Sequence, residues 1–193
     1  MTAQLPDTVD YRGTELTLAR ARGTGLFDPK DHALPVVMAS TLSWRGYVCH
    51  YALVDGRLVL ATLEANVARV DDDDVIVPVA PPDLGGVPGQ PGNPPFSTTY
   101  RPLAMPVAFT GQLVVGEGVI EALVGNLPLP EPWHFRVAHL LSFEGGALVA
   151  ERDVSTDMAT LRDALAAGGA TAPRIEAGDL RWLQNSLPGA SPD

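Results

Sequence analysis

The sequence of 193 residues is poor in cysteine, lysine and aromatic residues: it contains one cysteine, Cys49, one lysine, Lys30, and 6% aromatic residues. A single cysteine cannot form an internal disulfide, which is typical of proteins in a reducing compartment. No apolar run approaches the roughly 18 to 20 residues that a membrane-spanning helix requires. Residues 1–10 lack the basic and apolar segments of a secretion signal. We therefore expect a cytoplasmic protein with no membrane partner.

Basic residues are also scarce, with 13 Lys and Arg against 23 Asp and Glu, for a formal net charge of −10. Repulsion from phosphate groups argues against nucleic acid and anionic lipid as partners. An acidic protein instead attracts basic proteins during the encounter, which raises the association rate more than the affinity. A simpler role for the charge, keeping a small protein in solution, stays open.

The length is typical of one domain, and we predict that residues 1–193 form a single domain. The clearest local signal is a pair of apolar runs, 47–54 and 57–64, on either side of Asp55-Gly56. Asp-Gly favours a two-residue type I′ turn, because both central residues of that turn need positive φ. Pairing outward from the turn places Leu53 opposite Leu58. Both faces of this hairpin are apolar, so we expect it inside a sheet that is covered on both sides.

Other glycine-containing turns predict further hairpins. They lie at residues 8–19 around Arg12-Gly13, at 107–124 around Gly116-Glu117-Gly118, and at 135–151 around Glu144-Gly145-Gly146.

Two further segments differ in character from the hairpins. Prolines and glycines dominate residues 80–96, which we predict to be a long surface loop. Apolar residues at helical spacing predict a C-terminal helical segment at 156–187, with helices at 157–167 and 179–187. The predicted fold class is therefore α+β and β-rich, with antiparallel sheets built of hairpins and one or two C-terminal helices.

No motif in the sequence has the spacing of a known catalytic or metal site. Cys49 and His50 are neighbours on a predicted strand, so their side chains point to opposite faces. The run from Asp71 to Asp74 lacks the alternating ligands and distal glutamate of a calcium loop. The glycines of 85–89 are followed by prolines rather than by the helix of a phosphate-binding loop. We therefore predict no catalytic residue, no metal ligand and no cofactor.

Two groups of residues are candidates for contact with a protein partner. Acidic runs attract basic surfaces, and Trp, Tyr and Arg are the residues that most often dominate binding interfaces. The alternative for the aromatic residues is that they seal the ends of sheets. The candidates are Asp71, Asp72, Asp73, Asp74, Trp44, Arg45, Tyr47, Phe96, Tyr100 and Trp133.

Several motifs together resemble a group of small uncharacterised bacterial β-rich proteins. The shared pattern is W-R-G-Y, then D-G-x-L-x-L, then F-x-G-x-L followed by G-E, found here at residues 44–47, 55–60, 109–113 and 116–117. The resemblance extends from Trp44 to Asp153. It implies a β-rich fold, and because the group has no established activity it implies no catalytic residue.

These observations favour a non-enzymatic acidic binding protein, namely an antitoxin of the immunity type that blocks a partner toxin with a basic domain. Two alternatives remain open at the level of sequence. One is a β protein that holds an apolar or sugar ligand between its sheets. The other is a hydrolase that uses scattered carboxylates and His134 or His139.

Overall fold

The structure is a computed structural model that describes residues 3–38, 40–168 and 173–188. It is β-rich, as predicted, with few and short helices. The helices are α1 (Glu121–Val124) and α2 (Ser155–Ala166), and the 3-10 helices are η1 (Pro29–His32), η2 (Pro132–His134) and η3 (Arg181–Ser186). The strands are β1 (Thr8–Tyr11), β2 (Thr14–Thr24), β3 (Tyr47–Val54), β4 (Arg57–Ala65), β5 (Ala68–Val70), β6 (Ile76–Pro78), β7 (Gln90–Pro91), β8 (Thr98–Tyr100), β9 (Met105–Pro106), β10 (Thr110–Val119), β11 (Phe135–Glu144) and β12 (Ala147–Asp153).

Among the described residues, ten strands form one sheet in the order β12-β11-β10-β2-β1-β3-β4-β8-β7, with β9 also beside β4. Strands β5 and β6 form a separate two-stranded sheet. All neighbouring pairs are antiparallel except β1 and β3, where Thr8 lies opposite His50 in a parallel pair. The prediction of purely antiparallel sheets is wrong at this pair. A parallel pair needs a long connection, and the segment between β2 and β3 supplies it.

The large sheet closes on itself. Ala147 of β12 pairs with Arg57 of β4, so the seven strands from β12 to β4 form a ring. Side chains that alternate along these strands form one core cluster, which fills the ring. Its buried members include Val9, Leu16, Tyr51, Leu60, Leu113, Val115, Leu141 and Phe143.

The intervening residues of β10 and β11 point out of the ring and form a second core. Val114 and Leu140 lie there against Met158 and Leu161 of α2 and Leu183 of η3. These two strands are therefore apolar on both faces, because the C-terminal segment covers the outer one. One C-terminal helix, α2, agrees with the prediction.

The turn at Asp55-Gly56 joins β3 to β4. Leu53 lies opposite Leu58 in the ladder. Asp55 has φ of 49° and Gly56 has φ of 72°, the positive values that a type I′ turn requires.

The hairpin predicted at 107–124 is wrong. Strand β10 runs without a turn through Gly116, and residues 121–124 form α1. Gly116 serves packing instead: a Cβ atom there would lie 2.5 Å from Cγ of Phe135 on the neighbouring strand. A glycine that makes room for a ring is indistinguishable in sequence from a glycine that makes a turn.

The helical prediction at the C-terminus is right in part. Residues 179–187 form only the 3-10 helix η3 rather than an α-helix, and residues 169–172 lie outside the described residues.

The 80–96 segment is joined to the main sheet, because β7 within it pairs with β8. No helix among the described residues combines the length and the apolar character needed to cross a membrane.

Candidate functional site

The W-R-G-Y segment, residues 44–47, forms a tight corner that leads into β3. Gly46 has φ of 77°, and a Cβ atom there would lie 2.3 Å from the carbonyl oxygen of Val37. Its N–H donates to the carbonyl of Ser43, and its own carbonyl accepts from the N–H of Asn66. Only glycine allows the chain to turn and to approach residue 37 this closely.

Arg45 anchors this corner to the N-terminal segment. Its two terminal nitrogens donate to the Asp7 carboxylate at 2.7 and 3.1 Å, and the Cys49 N–H donates to the same carboxylate at 2.8 Å. Burial alone would lower the pKa of Arg45, but the hydrogen bonds and charge of Asp7 outweigh it and raise that pKa. The guanidinium also lies 4.7 Å from the ring centre of Tyr47, a cation–π contact.

Tyr47 begins β3 and is half-buried. Burial raises its pKa to about 12, although the charge of Arg45 acts in the opposite direction. The phenol is therefore neutral at physiological pH. Arg45 and Tyr47 thus form a stacked pair whose charge is already balanced by Asp7.

Gln4 ties three separate segments together beside this corner. Its backbone N–H donates to the Pro128 carbonyl, its side-chain Nε2 donates to the Thr41 carbonyl, and its Oε1 accepts from the Trp44 N–H at 2.7 Å. In addition, the Leu5 N–H donates to the Leu42 carbonyl. The N-terminal segment, the loop before β3 and the segment after α1 are therefore held in one place.

These contacts gather exposed apolar side chains on one surface, which we call the Trp44 surface: Leu5, Leu42, Trp44 and Leu129. Their exposed fractions are 38%, 40%, 48% and 39%. Leu5, Trp44 and Leu129 line a shared groove of about 280 Å³. Apolar side chains from distant segments, grouped and exposed together, are a feature of interaction sites.

The aspartate run lies elsewhere, in the turn between β5 and β6. Asp71 builds this turn, because its Oδ1 accepts from the N–H groups of Asp73 and Val75 at 3.0 and 2.9 Å. Asp72, Asp73 and Asp74 are exposed. Of the four aspartates, three are thus available to a partner, and Asp71 has a structural role.

Exposed apolar residues flank the aspartates. Val70, Val75 and Ile76 are 53%, 54% and 46% exposed. Within the described ranges, no hydrogen bond or ion pair connects this hairpin to the Trp44 surface. The two predicted partner-binding groups are therefore not tied to each other by polar contacts of the described residues.

Three predicted partner-binding residues are buried, so that assignment needs correction. Phe96 and Trp133 are 4% exposed and Tyr100 is 0% exposed. The Tyr100 hydroxyl donates to the Pro82 carbonyl at 3.0 Å, which ties the 80–96 segment to the sheet. These side chains have almost no surface to offer a partner, and Tyr100 and Trp133 belong to the two core clusters.

Cys49 is fully buried. Burial, and after it the charge of Asp7, raises the pKa of its thiol. Because the thiolate is the nucleophilic form, Cys49 has the environment of a structural residue rather than a catalytic one.

A polar pocket of about 350 Å³ surrounds His50 on the outer face of β3 and β4. Thr8 Oγ1 lies 2.9 Å from His50 Nδ1, and Glu64 Oε2 lies 3.3 Å from His50 Nε2. The Thr8 hydroxyl carries one proton, and it can donate that proton either to His50 Nδ1 or to Glu15 Oε2, which lies 3.3 Å away. The first of these two states is the one that a reaction would use. A hydroxyl, an imidazole and a carboxylate in this order have the geometry in which a base activates a nucleophile.

The other two histidines considered for a hydrolase are in different environments. His139 lies on β11 with its ring centre 5.4 Å from that of Tyr11, and His134 is buried at the end of η2. In the part of the chain that the structure describes, no three His, Cys, Asp or Glu side chains are grouped so as to hold a metal ion.

Sequence reasoning did not identify Gln4, Asp7 or Leu129. None of them belongs to a motif, and each acquires its role through contact with a segment far away in the chain. The proline-rich run at residues 128–132 was the one available signal, since such a run favours an exposed, extended segment.

None of the known protein families, curated proteins or solved structures compared with this chain matches it.

Proposed function

We propose that this chain is a non-enzymatic cytoplasmic protein of the immunity type, which binds a basic protein domain, such as that of a toxin, through its Trp44 surface. The observation that carries the proposal is the exposure of Trp44, at 48%, beside three exposed leucines that Gln4 and its neighbours hold in place. Exposing a tryptophan in a rigid apolar cluster is unfavourable in water, and burial under a partner removes that cost.

The energy available from this residue is large. If the exposed 48% of Trp44 corresponds to about 120 Å² of a large aromatic side chain, its burial contributes about 3 kcal/mol at ~25 cal/mol per Å². This corresponds to at most about 100-fold in Kd, because ordering the side chain on association opposes the gain. The corner is also held before binding by the Asp7–Arg45 ion pair, which reduces the entropic cost of association.

Charge favours a basic partner. The formal net charge of −10 produces a negative field around the molecule. Three exposed aspartates on the β5–β6 hairpin, Asp72, Asp73 and Asp74, concentrate part of that charge. Such a field increases the rate of encounter with a positively charged domain.

The first experiment is affinity capture from the source cells with the full chain, its Trp44→Ala variant and a Val149→Ala control. Val149 is 52% exposed on β12 and does not line the groove. We expect one stoichiometric partner to be retained by the wild type and the control and lost by Trp44→Ala. The partner should be toxic when expressed alone, and co-expression of this chain should suppress the toxicity. Equal retention by all three proteins would remove the Trp44 surface from the proposal.

A second experiment tests the role of charge in association. Reversal of Asp72–Asp74 to lysine is expected to slow association with the captured partner in dilute salt. The effect should shrink at 1 M salt, where the Debye length is about 3 Å. Reversal of the exposed residues Glu117, Glu144 and Asp163 changes the net charge equally and is the control. An association rate that depends on neither reversal would show that electrostatic steering plays no part.

A second candidate function, hydrolysis, is supported by the Thr8–His50–Glu64 arrangement alone. In that function Thr8 is the nucleophile, His50 the base and Glu64 the residue that orients it. Hydrolysis of p-nitrophenyl esters by the wild type, lost in Thr8→Ala and in His50→Ala without loss of folding, is the expected result. A wild-type rate equal to that of His50→Ala would exclude this function for such substrates.

A further inference from the structure

A cavity of about 640 Å³ opens between η2, the C-terminal end of α2 and the end of η3. Its walls are mainly apolar and include Leu123, Leu127, Trp133, Leu165 and Leu187. A volume of this size, with apolar walls and a few polar groups, is typical of small-molecule sites. None of the residues that line it lines the groove of the Trp44 surface.

Arg162 of α2 places a positive charge in this wall. One terminal nitrogen donates to the carbonyls of Trp133 and Phe135, at 2.9 and 3.1 Å. Within the described ranges, no carboxylate lies within 4.0 Å of the guanidinium, and its other nitrogens make no hydrogen bond. These remaining donors are arranged as a fork, the geometry that matches a carboxylate.

His134 supplies a second donor. Its Nδ1 accepts from the backbone N–H of Glu131 at 3.1 Å, so the proton of the neutral ring is on Nε2. Burial, and then the charge of Arg162, lowers the pKa of His134, so the ring is neutral at physiological pH. Nε2–H makes no hydrogen bond with the described part of the chain, although His134 lines the cavity.

Glu131 also lines the cavity, but its charge is already balanced. Arg20 donates to both of its oxygens, at 3.0 and 2.5 Å. Arg20 and Arg162 contribute two positive charges, Glu131 one negative charge and neutral His134 none, so the polar end of the cavity has a net charge of +1.

From this arrangement we infer that the cavity binds a small amphipathic carboxylate, with its carboxylate at Arg162 and His134 and its apolar tail against the leucines. The single positive charge matches the single negative charge of the ligand. A neutral apolar molecule leaves the remaining N–H donors of the Arg162 guanidinium without an acceptor, and a cation is repelled by its charge. The site is independent of the partner-binding function proposed above, and either can be wrong without affecting the other.

The test uses the full chain and isothermal titration calorimetry with octanoate, octanol and octylammonium. These probes share one tail and differ in the charge of the head group. We expect saturable binding of octanoate, at least tenfold weaker binding of octanol, and no binding of octylammonium.

Variants of the polar end test the assigned roles. Arg162→Gln should weaken octanoate binding at least tenfold and leave octanol binding within about twofold. His134→Phe should weaken octanoate binding by a smaller factor, because it removes one neutral donor. Circular dichroism and thermal unfolding of each variant check that it folds.

A steric pair of variants provides a test that does not depend on Arg162, which also supports the backbone. Ala166 is exposed on α2 and lines the cavity, whereas its exposed neighbour Ala167 does not. Ala166→Trp should abolish octanoate binding, and Ala167→Trp should retain it. The inference is overturned if the wild type gives no saturable heat with octanoate, if octanol binds as tightly, or if Arg162→Gln and Ala166→Trp bind octanoate as the wild type does.

Discussion

Replacement of Arg45 by alanine is expected to leave the Asp7 carboxylate buried with one hydrogen-bond donor instead of three. The Asp7 side chain is 9% exposed, and its remaining donor is the N–H of Cys49. Water that enters the space left by the half-exposed Arg45 side chain replaces these two charged hydrogen bonds only in part. The variant should therefore be less stable, although neither residue belongs to the centre of the core.

The size of the effect follows from burial. Each hydrogen bond to a charged group contributes about 1.5 to 3 kcal/mol, and loss of one member of a fully buried pair costs about 3 to 5 kcal/mol. The Arg45 side chain is 48% exposed, so solvent screening reduces this value. We expect Arg45→Ala to lower the free energy of unfolding by about 2 to 3 kcal/mol, and Tm by about 5 to 10 °C for a chain of this length.

A double-mutant cycle separates the ion pair from the other effects of each substitution. Urea unfolding of the wild type, Asp7→Ala, Arg45→Ala and the double variant should give a coupling free energy of about 1.5 to 2.5 kcal/mol. The Arg12–Glu151 pair is the control, because its side chains are 68% and 39% exposed. Its coupling should be about 0.2 to 1 kcal/mol.

A coupling free energy for Asp7–Arg45 no larger than that of Arg12–Glu151 would refute this reasoning. It would mean that the Asp7–Arg45 pair, with hydrogen bonds of 2.7 and 3.1 Å, contributes no more to the free energy of unfolding than an exposed ion pair does. The ion pair would then not explain why the W-R-G-Y corner is held in place.

Three further predictions concern stability and reactivity. Gly116→Ala should lower the free energy of unfolding by about 1 to 3 kcal/mol, because the new Cβ would lie 2.5 Å from the Phe135 ring. Gly178→Ala is the control and should be close to neutral, because its Cβ would contact nothing within 4 Å. Equal losses of stability in both variants would contradict the packing role of Gly116. Cys49, whose pKa is raised by burial, should react with a thiol reagent far more slowly in the native protein than in urea, and equal rates would show that it is accessible. Burial and the neighbouring Arg162 guanidinium lower the pKa of His134 in the folded protein, so as pH falls the histidine of the unfolded chain is protonated first. The free energy of unfolding should therefore decline below about pH 6.5. A His134→Phe variant that shows the same decline would assign the decline to other groups.

The hairpin of β3 and β4 could be predicted from sequence because its determinants are local. Asp55 and Gly56 need no other part of the chain to favour positive φ, and the pairing of Leu53 with Leu58 follows from the length of the turn. The other apolar runs and glycine-containing turns likewise predicted a β-rich chain, and composition gave its formal net charge of −10. The low aromatic content and single cysteine are properties of the sequence that folding does not change.

The candidate site was predictable only in part. Trp44 and Arg45 were identified because their residue types often bind partners. The sequence did not predict that one would be exposed and the other paired with a carboxylate. The structure leaves Trp44 exposed and engages Arg45 with Asp7. Phe96 and Tyr100 are aromatic like many residues that bind partners, but both are buried, and Tyr100 packs in the core cluster inside the ring.

Sequence alone therefore determined the short-range features of this protein: its charge, its type I′ turn, the alternation along its strands and the helical spacing that became α2. Tertiary structure alone decided the parallel pairing of β1 with β3, the closure of the ring at Arg57 and Ala147, and the use of Gly116 for packing. It also brought Gln4 to Trp44 and Arg162 to His134, whose positions form the Trp44 surface and the cavity. The physical reason is one of range. Turn and strand preferences act over a few neighbouring residues, whereas contacts between distant segments depend on the order in which the strands pair.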